Sequence, residues 1–158
     1  MISQAENAPS NNDLGVGRAG CLALLARADQ TELDAVLSSL NPVPPATDLR
    51  PAEVGLVMLR GRTGGDGAPF NLGEATVSRA AVRLDNGATG FGYRLGRDVG
   101  AARMAAVIDA LWQDPARREA VVSALRPVRA RLDAKRASVV AETAATKVDF
   151  FTLVRGED

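Results

Sequence analysis

The segment Ala75–Gly96, ATVSRAAVRLDNGATGFGYRLG, places two strand-like runs on either side of Asn86-Gly87. A two-residue hairpin turn needs positive φ at its centre, and Asn-Gly adopts it at the lowest cost. The pattern therefore predicts a β-hairpin. Val77, Ala81 or Val82, and Leu84 should meet Phe91, Tyr93 and Leu95 across or beside the turn. Everything else in the chain has to pack around that antiparallel pair.

Helical patterns flank it. RAGCLALLARADQTELDAVLSSL (Arg18–Leu40) carries Leu22, Leu25 and Ala26 on one face, then Leu33, Val36, Leu37 and Leu40 on another. ADQTELD between them offers Thr31 as an N-cap, which predicts a helix, a break and a second helix. DVGAARMAAVIDALWQD (Asp98–Asp114) has Asp98 as a cap and a buried stripe of Met104, Val107, Ile108, Leu111 and Trp112. Pro115 suits the first turn of the next helix, and Pro127 should split it. NPVPPATDLRP (Asn41–Pro51) reads as an extended connector. Glu53–Gly61 has apolar residues on both faces and reads as a central strand. Apolar residues in the tail, Val148 to Val154, read as a terminal strand. The expected fold is α+β: a small antiparallel sheet with a hairpin, N-terminal helices, two long later helices and a closing strand. Residues 1–14 read as a disordered start and 15–158 as one domain.

Composition narrows the chemistry. The 158 residues hold no histidine and one cysteine, with 19 basic and 19 acidic side chains. The usual catalytic base and the usual metal ligand are both missing, so a Ser/His/Asp or Cys/His arrangement cannot be built, and no metal site is expected. Balanced charge gives no pull toward nucleic acid or membrane. Lone Cys21 makes no internal disulfide and should pack as a small hydrophobe, and no apolar run is long enough to span a bilayer. A cytoplasmic location is expected.

The segment GRTGGDGAPFNLGEATVSR (Gly61–Arg79) lacks both the Gly-Lys-Ser/Thr ending of a P-loop and the GxGxxG of a dinucleotide fold. Its glycines expose backbone N–H groups near Arg60, Arg62 and Arg79, a combination that can hold an anion or form a plain connection. Strand alternation puts Arg60 and Arg62 on one side. Arg94 and Arg97 extend the series of phosphate-binding candidates. Glu74 is expected to pair with Arg79 rather than act as a base. The basic helical face from Arg117 to Arg136 reads as solvated, with a partner's acidic surface as the alternative. No residue is assigned as catalytic.

Three blocks carry a resemblance: GLVMLRGRTGGDGAPFNLGEATVSRAAVRL (Gly55–Leu84), GFGYRLGRD (Gly90–Asp98) and ATKVDFFTLVRGED (Ala145–Asp158). In order and spacing they closely resemble the PhnG family of the bacterial carbon–phosphorus lyase system. Near its N-terminus the chain departs, with RAGCLALLA where a bulky Trp-containing start is expected. The resemblance implies a non-catalytic or accessory subunit of a transferase complex that makes α-D-ribose 1-methylphosphonate 5-triphosphate. ATP and methylphosphonate would be substrates of the complex, with no cofactor bound by this chain. It implies PhnH, PhnI, PhnJ and PhnL as partners and paired copies in a symmetric core. Phe70, Glu74, Lys147, Asp149, Phe150, Phe151 and Arg155 are the interface candidates. The rival readings are a stand-alone anion- or nucleotide-binding module using the Arg/Gly-rich loop, and an independent enzyme using Glu74 or Asp149.

Overall fold

The computed structural model describes residues 17–64 and 66–146. In chain order these form α1 (Arg18–Leu25), α2 (Gln30–Ser39), β1 (Ala46–Arg62), β2 (Pro69–Leu84), β3 (Thr89–Leu95), α3 (Val99–Gln113), α4 (Pro115–Ala124) and α5 (Arg126–Ala145). The strands make one antiparallel sheet in the order β1-β2-β3. The architecture is α+β, as the patterning predicts.

The hairpin forms where Asn-Gly places it. Gly87 takes φ +85°, and β2 pairs with β3 from Arg83↔Thr89 to Val77↔Leu95. Opposed residues share a face of the sheet. One face carries Ala80, Val82 and Leu84 into the core with Gly90 and Gly92. The other carries Phe91, Tyr93 and Leu95, each at least half exposed. The alternation in GFGYRL explains why helix α3 can lie so close. A Cβ on Gly90 would collide with the Ala106 carbonyl, and one on Gly92 with the Ala102 carbonyl. Helix α3 answers with Ala102, Ala105 and Ala106, all buried, so its backbone seats on the strand. Asp98 caps its start by accepting from Ala101 N–H at 2.8 Å.

Several boundaries differ from expectation, each for a local reason. Helix α2 is capped by Asp29, not Thr31. Glu32 N–H donates to Asp29 at 2.8 Å and Asp29 N–H to Glu32 at 2.9 Å, a reciprocal box that satisfies two orphan donors where Thr31 would satisfy one. The proline-rich connector is sheet from Ala46 onward. Register shifts between Asp48 and Arg50 and between Arg50 and Glu53 leave Pro51 outside the ladder, where its missing N–H costs nothing. Strand β1 is an edge, and β2 is central. The expected loop over 61–79 is mostly strand, because β2 already begins at Pro69.

A single carboxylate ties the first helix to the rest. Asp109 of α3 is fully buried and accepts from Arg18 Nε at 3.0 Å, Arg18 Nη2 at 2.8 Å and Phe91 N–H at 2.9 Å. Arg18 also lies 5.7 Å from the centre of the Phe91 ring. Its guanidinium holds its proton more firmly than usual, mainly through the hydrogen bonds to Asp109. Around this tie, Leu25, Leu33, Ile108, Leu111, Val121, Leu125 and Val128 fill the helical core, and Cys21 packs there as a small hydrophobe.

Removing Arg18 strands a buried charge, whereas neutralising Asp109 leaves a half-solvated Arg18 and an oxygen still able to accept from Phe91. Arg18→Ala should therefore cost about 3 kcal/mol by denaturant unfolding and Asp109→Asn clearly less. Equal costs would mean the ion pair is not what the fold feels. Gly92→Ala should lose about 3 kcal/mol, because the obstructing atoms are backbone. At the edge of the helical layer, Glu32 accepts from Arg131 at 2.6 and 2.8 Å, and these bonds chiefly hold its carboxyl below its usual value. A depressed folded pKa stabilises above the unfolded value near 4.5 and is lost as pH falls through the folded one. Thermal melts from pH 6 to 3 should fall less steeply for Glu32→Gln than for the parent chain.

Candidate partner interface and anion-binding arginines

Strand β3 covers β2 only from Val77 to Arg83. Beyond that, β1 and β2 continue together as a two-stranded ribbon, from Gly55↔Val77 to Arg62↔Pro69, with Gly67 N–H donating to the Thr63 carbonyl at its end. At 3.3 Å per residue this arm is about 25 Å long. A ribbon without a third strand is marginal in water. This one nevertheless carries Leu56, Met58, Leu59, Phe70 and Leu72 partly or largely exposed, with Leu72 at 67%. A bulge between Leu59 and Arg60 leaves Leu72 without a cross-strand partner. Phe70 lies over Gly61, whose missing side chain makes room for the ring. Glu74 sits opposite Met58.

The five arginines do not converge. Arg60 and Arg62 sit near that end of the ribbon, two residues apart on β1 and hence on one face. Arg62 Nη1 approaches the Gly67 carbonyl at 3.4 Å. Arg79 pairs with Glu53 at 2.8 Å, so the expected partner Glu74 is replaced. Glu74 lies five residues further along β2, whereas Glu53 is directly across the ladder. That same Glu53 carboxylate takes Arg50 at 2.9 Å, and the pair of arginines, Arg79 first, holds it below its usual range. Arg94 turns inward and donates to the Leu25 and Ala28 carbonyls, closing the C-terminal end of α1. Arg97 lies in the turn before α3. From Arg60, opposite Asn71, to Arg97, beyond the Val77↔Leu95 pair, the sheet runs roughly 20 Å. One phosphate cannot span that; only Arg60 and Arg62 remain placed to share one.

The basic helical face is partly stitched to the chain itself. Arg117 Nη1 donates to the Leu40 and Pro42 carbonyls at 3.2 and 2.8 Å. Arg118 stacks 4.6 Å from the centre of Trp112, and Arg131 grips Glu32. Patterning alone missed these roles because most acceptors are backbone carbonyls. Lys147, Asp149, Phe150, Phe151 and Arg155, with the expected terminal strand, lie outside the described residues. Among the described residues no three of His, Cys, Asp and Glu group as metal ligands, and no helix is long and apolar enough to cross a membrane.

Two comparisons bear on this arrangement. Residues 17–156 match the family model described as phosphonate metabolism protein PhnG. The chain is also 51% identical over 152 residues to the α-D-ribose 1-methylphosphonate 5-triphosphate synthase subunit PhnG of Rhizobium meliloti strain 1021, covering 96% of this chain and 97% of that protein. The ribbon, the glycine-bearing hairpin and the segment beyond α5 all fall within the matched span, and the chain belongs to the PhnG family of phosphonate metabolism proteins.

Proposed function

We propose that this chain is a non-catalytic subunit of the synthase that forms α-D-ribose 1-methylphosphonate 5-triphosphate from ATP and methylphosphonate, and that its ribbon is the part its partners grip. The observation that carries the reading is the 51% identity, over nearly the whole of both chains, to a subunit of that synthase. The ribbon supports it physically: a two-stranded arm with half-exposed Leu56, Met58 and Phe70 gains stability when a neighbour covers it. The partners proposed are PhnH, PhnI, PhnJ and PhnL, with two copies of this chain pairing within the assembly, in the cytoplasm. Arg60 and Arg62, near the tip, would add positive charge where a polyphosphate is handled at a shared surface. The chain itself needs no cofactor in this role.

Co-expression of a tagged copy with PhnH, PhnI and PhnJ, followed by light scattering, tests the assembly. A stoichiometric complex is expected. Leu56→Asp combined with Met58→Asp should cut recovery of the partners at least tenfold while leaving the helical circular dichroism unchanged. Full recovery with that variant would remove the ribbon from the interface. Arg62→Ala should assemble normally and slow growth on methylphosphonate; unchanged growth would end the anion role of that residue. A monodisperse monomer that binds ATP by itself would instead support the stand-alone module.

A further inference from the structure

The hairpin tip carries a chemistry that neither the ribbon nor the arginines use. Asn86-Gly87 is the only Asn-Gly pair in the sequence, and both residues are exposed to water. Glycine stands there for its backbone: it takes φ +85°, and a Cβ on it would meet nothing within 4 Å. The turn that favours this dipeptide also brings together the two groups that react in asparagine deamidation. The backbone nitrogen of Gly87 is the nucleophile, and Cγ of Asn86 is the electrophile. Two hydrogen bonds stand between them and reaction. Gly87 N–H donates to the Leu84 carbonyl at 2.8 Å, and Ala88 N–H donates to Asn86 Oδ1 at 3.0 Å. The first keeps on the nucleophile the proton it must lose, and the second fixes the orientation of the side-chain amide. Below them Leu84 N–H donates to the Ala88 carbonyl at 2.9 Å, closing the tip onto the ladder.

We propose that Asn86 is a deamidation site kept latent by its own turn, reacting only while the hairpin tip is open. In the open tip Gly87 N attacks Asn86 Cγ and gives up its proton. The Cγ–Nδ2 bond breaks, and ammonia leaves with that proton. The cyclic succinimide so formed takes up water at either carbonyl and opens to aspartate or to isoaspartate. Water is the only co-reactant. The product does not fit the tip it came from. Asn86 Nδ2 lies 3.5 Å from Oδ2 of Asp114, whose other oxygen caps α4 by accepting from Ala116 N–H at 3.0 Å. Replacing the amide by a carboxylate sets like charges against each other there, with Asp85 next in the chain. Isoaspartate also adds a backbone carbon between Leu84 and Ala88, so the turn bonds lose their registry. The lesion falls on the hairpin against which α3 is seated, and the closed turn guards that hairpin from it. This inference is independent of the synthase reading.

The test follows the full chain at mildly alkaline pH and constant temperature. Peptide mapping by mass spectrometry measures loss of the Asn86 amide, and hydrogen exchange measures opening of the Gly87 N–H in the same samples. The folded chain should deamidate at Asn86 roughly tenfold or more slowly than the chain unfolded in guanidinium chloride, because the reaction waits on local opening. Guanidinium concentrations below the unfolding transition should raise Gly87 exchange and Asn86 deamidation by the same factor. Equal rates in the folded and unfolded chain would mean that the turn is no barrier, and would overturn the proposal. So would a slowed reaction that takes no account of Gly87 exchange, and so would an unfolded chain that does not deamidate at Asn86. The isolated isoaspartyl form should melt below the parent chain. One that melts with the parent also counts against the proposal, because a tip that accepts the product does not hold Asn86 in place.

Discussion

The buried carboxylate of Asp109 is the constraint on which the rest of the structure depends. It lies in the middle of α3 and accepts from α1 through Arg18 and from β3 through Phe91 N–H, so one side chain fixes a helix and a strand against the central helix. A charge held away from water is tolerated only when its lone pairs are filled, and here three donors fill them. Because Phe91 N–H is among them, β3 is registered against α3 at one point, and the two glycines beside it let the backbones close. Arg94 completes the clamp from the next turn of strand by taking the free carbonyls at the end of α1. The N-terminal helix is thus held by arginines at both ends.

That clamp was only partly legible in the sequence. Local signals survived folding intact: Asn86-Gly87 made its turn, Asp98 its cap, and Pro115 and Pro127 their helix boundaries, because each acts within a few residues of itself. Signals that depend on a distant partner did not. Apolar residues on both faces of β1 are what a central strand shows, but an edge strand in a ribbon shows the same pattern when a neighbouring molecule is to cover it. Glu74 was the nearest carboxylate to Arg79 in its own segment, while Glu53, the true partner, is placed only by strand register. Asp109 gave no signal at all inside an alanine-rich helical run.

The arginines divide along the same line. An arginine beside glycines reads as an anion site because free guanidinium and free N–H are the parts such a site needs. What decides the matter is whether the donors are already spent. Arg94 and Arg117 direct theirs to backbone carbonyls, and Arg79 and Arg131 to carboxylates, none of which patterning could assign. Arg60 and Arg62 sit on an arm with no acid opposite them, Arg60 facing Asn71 and Arg62 facing Pro69. The structure reduces five candidates to one pair by accounting for the other three's geometry, not by any change in their chemistry.

The energy scale explains why an arm of this kind persists. Covering half-exposed Leu56, Met58, Leu59, Phe70 and Leu72 would contribute roughly 1 kcal/mol each at about 25 cal/mol per Å² of apolar surface. The sum, about 5 kcal/mol, matches the whole stability of a small marginal domain. A ribbon that kept such residues polar would be more soluble alone and would give a partner nothing to hold. One whose apolar residues were buried by its own helices would have no face left to offer. With α3 seated on the hairpin end of the sheet and absent from the ribbon end, the fold separates these demands: Gly90, Gly92 and Asp109 make one end self-sufficient, so the other end is free to depend on another chain.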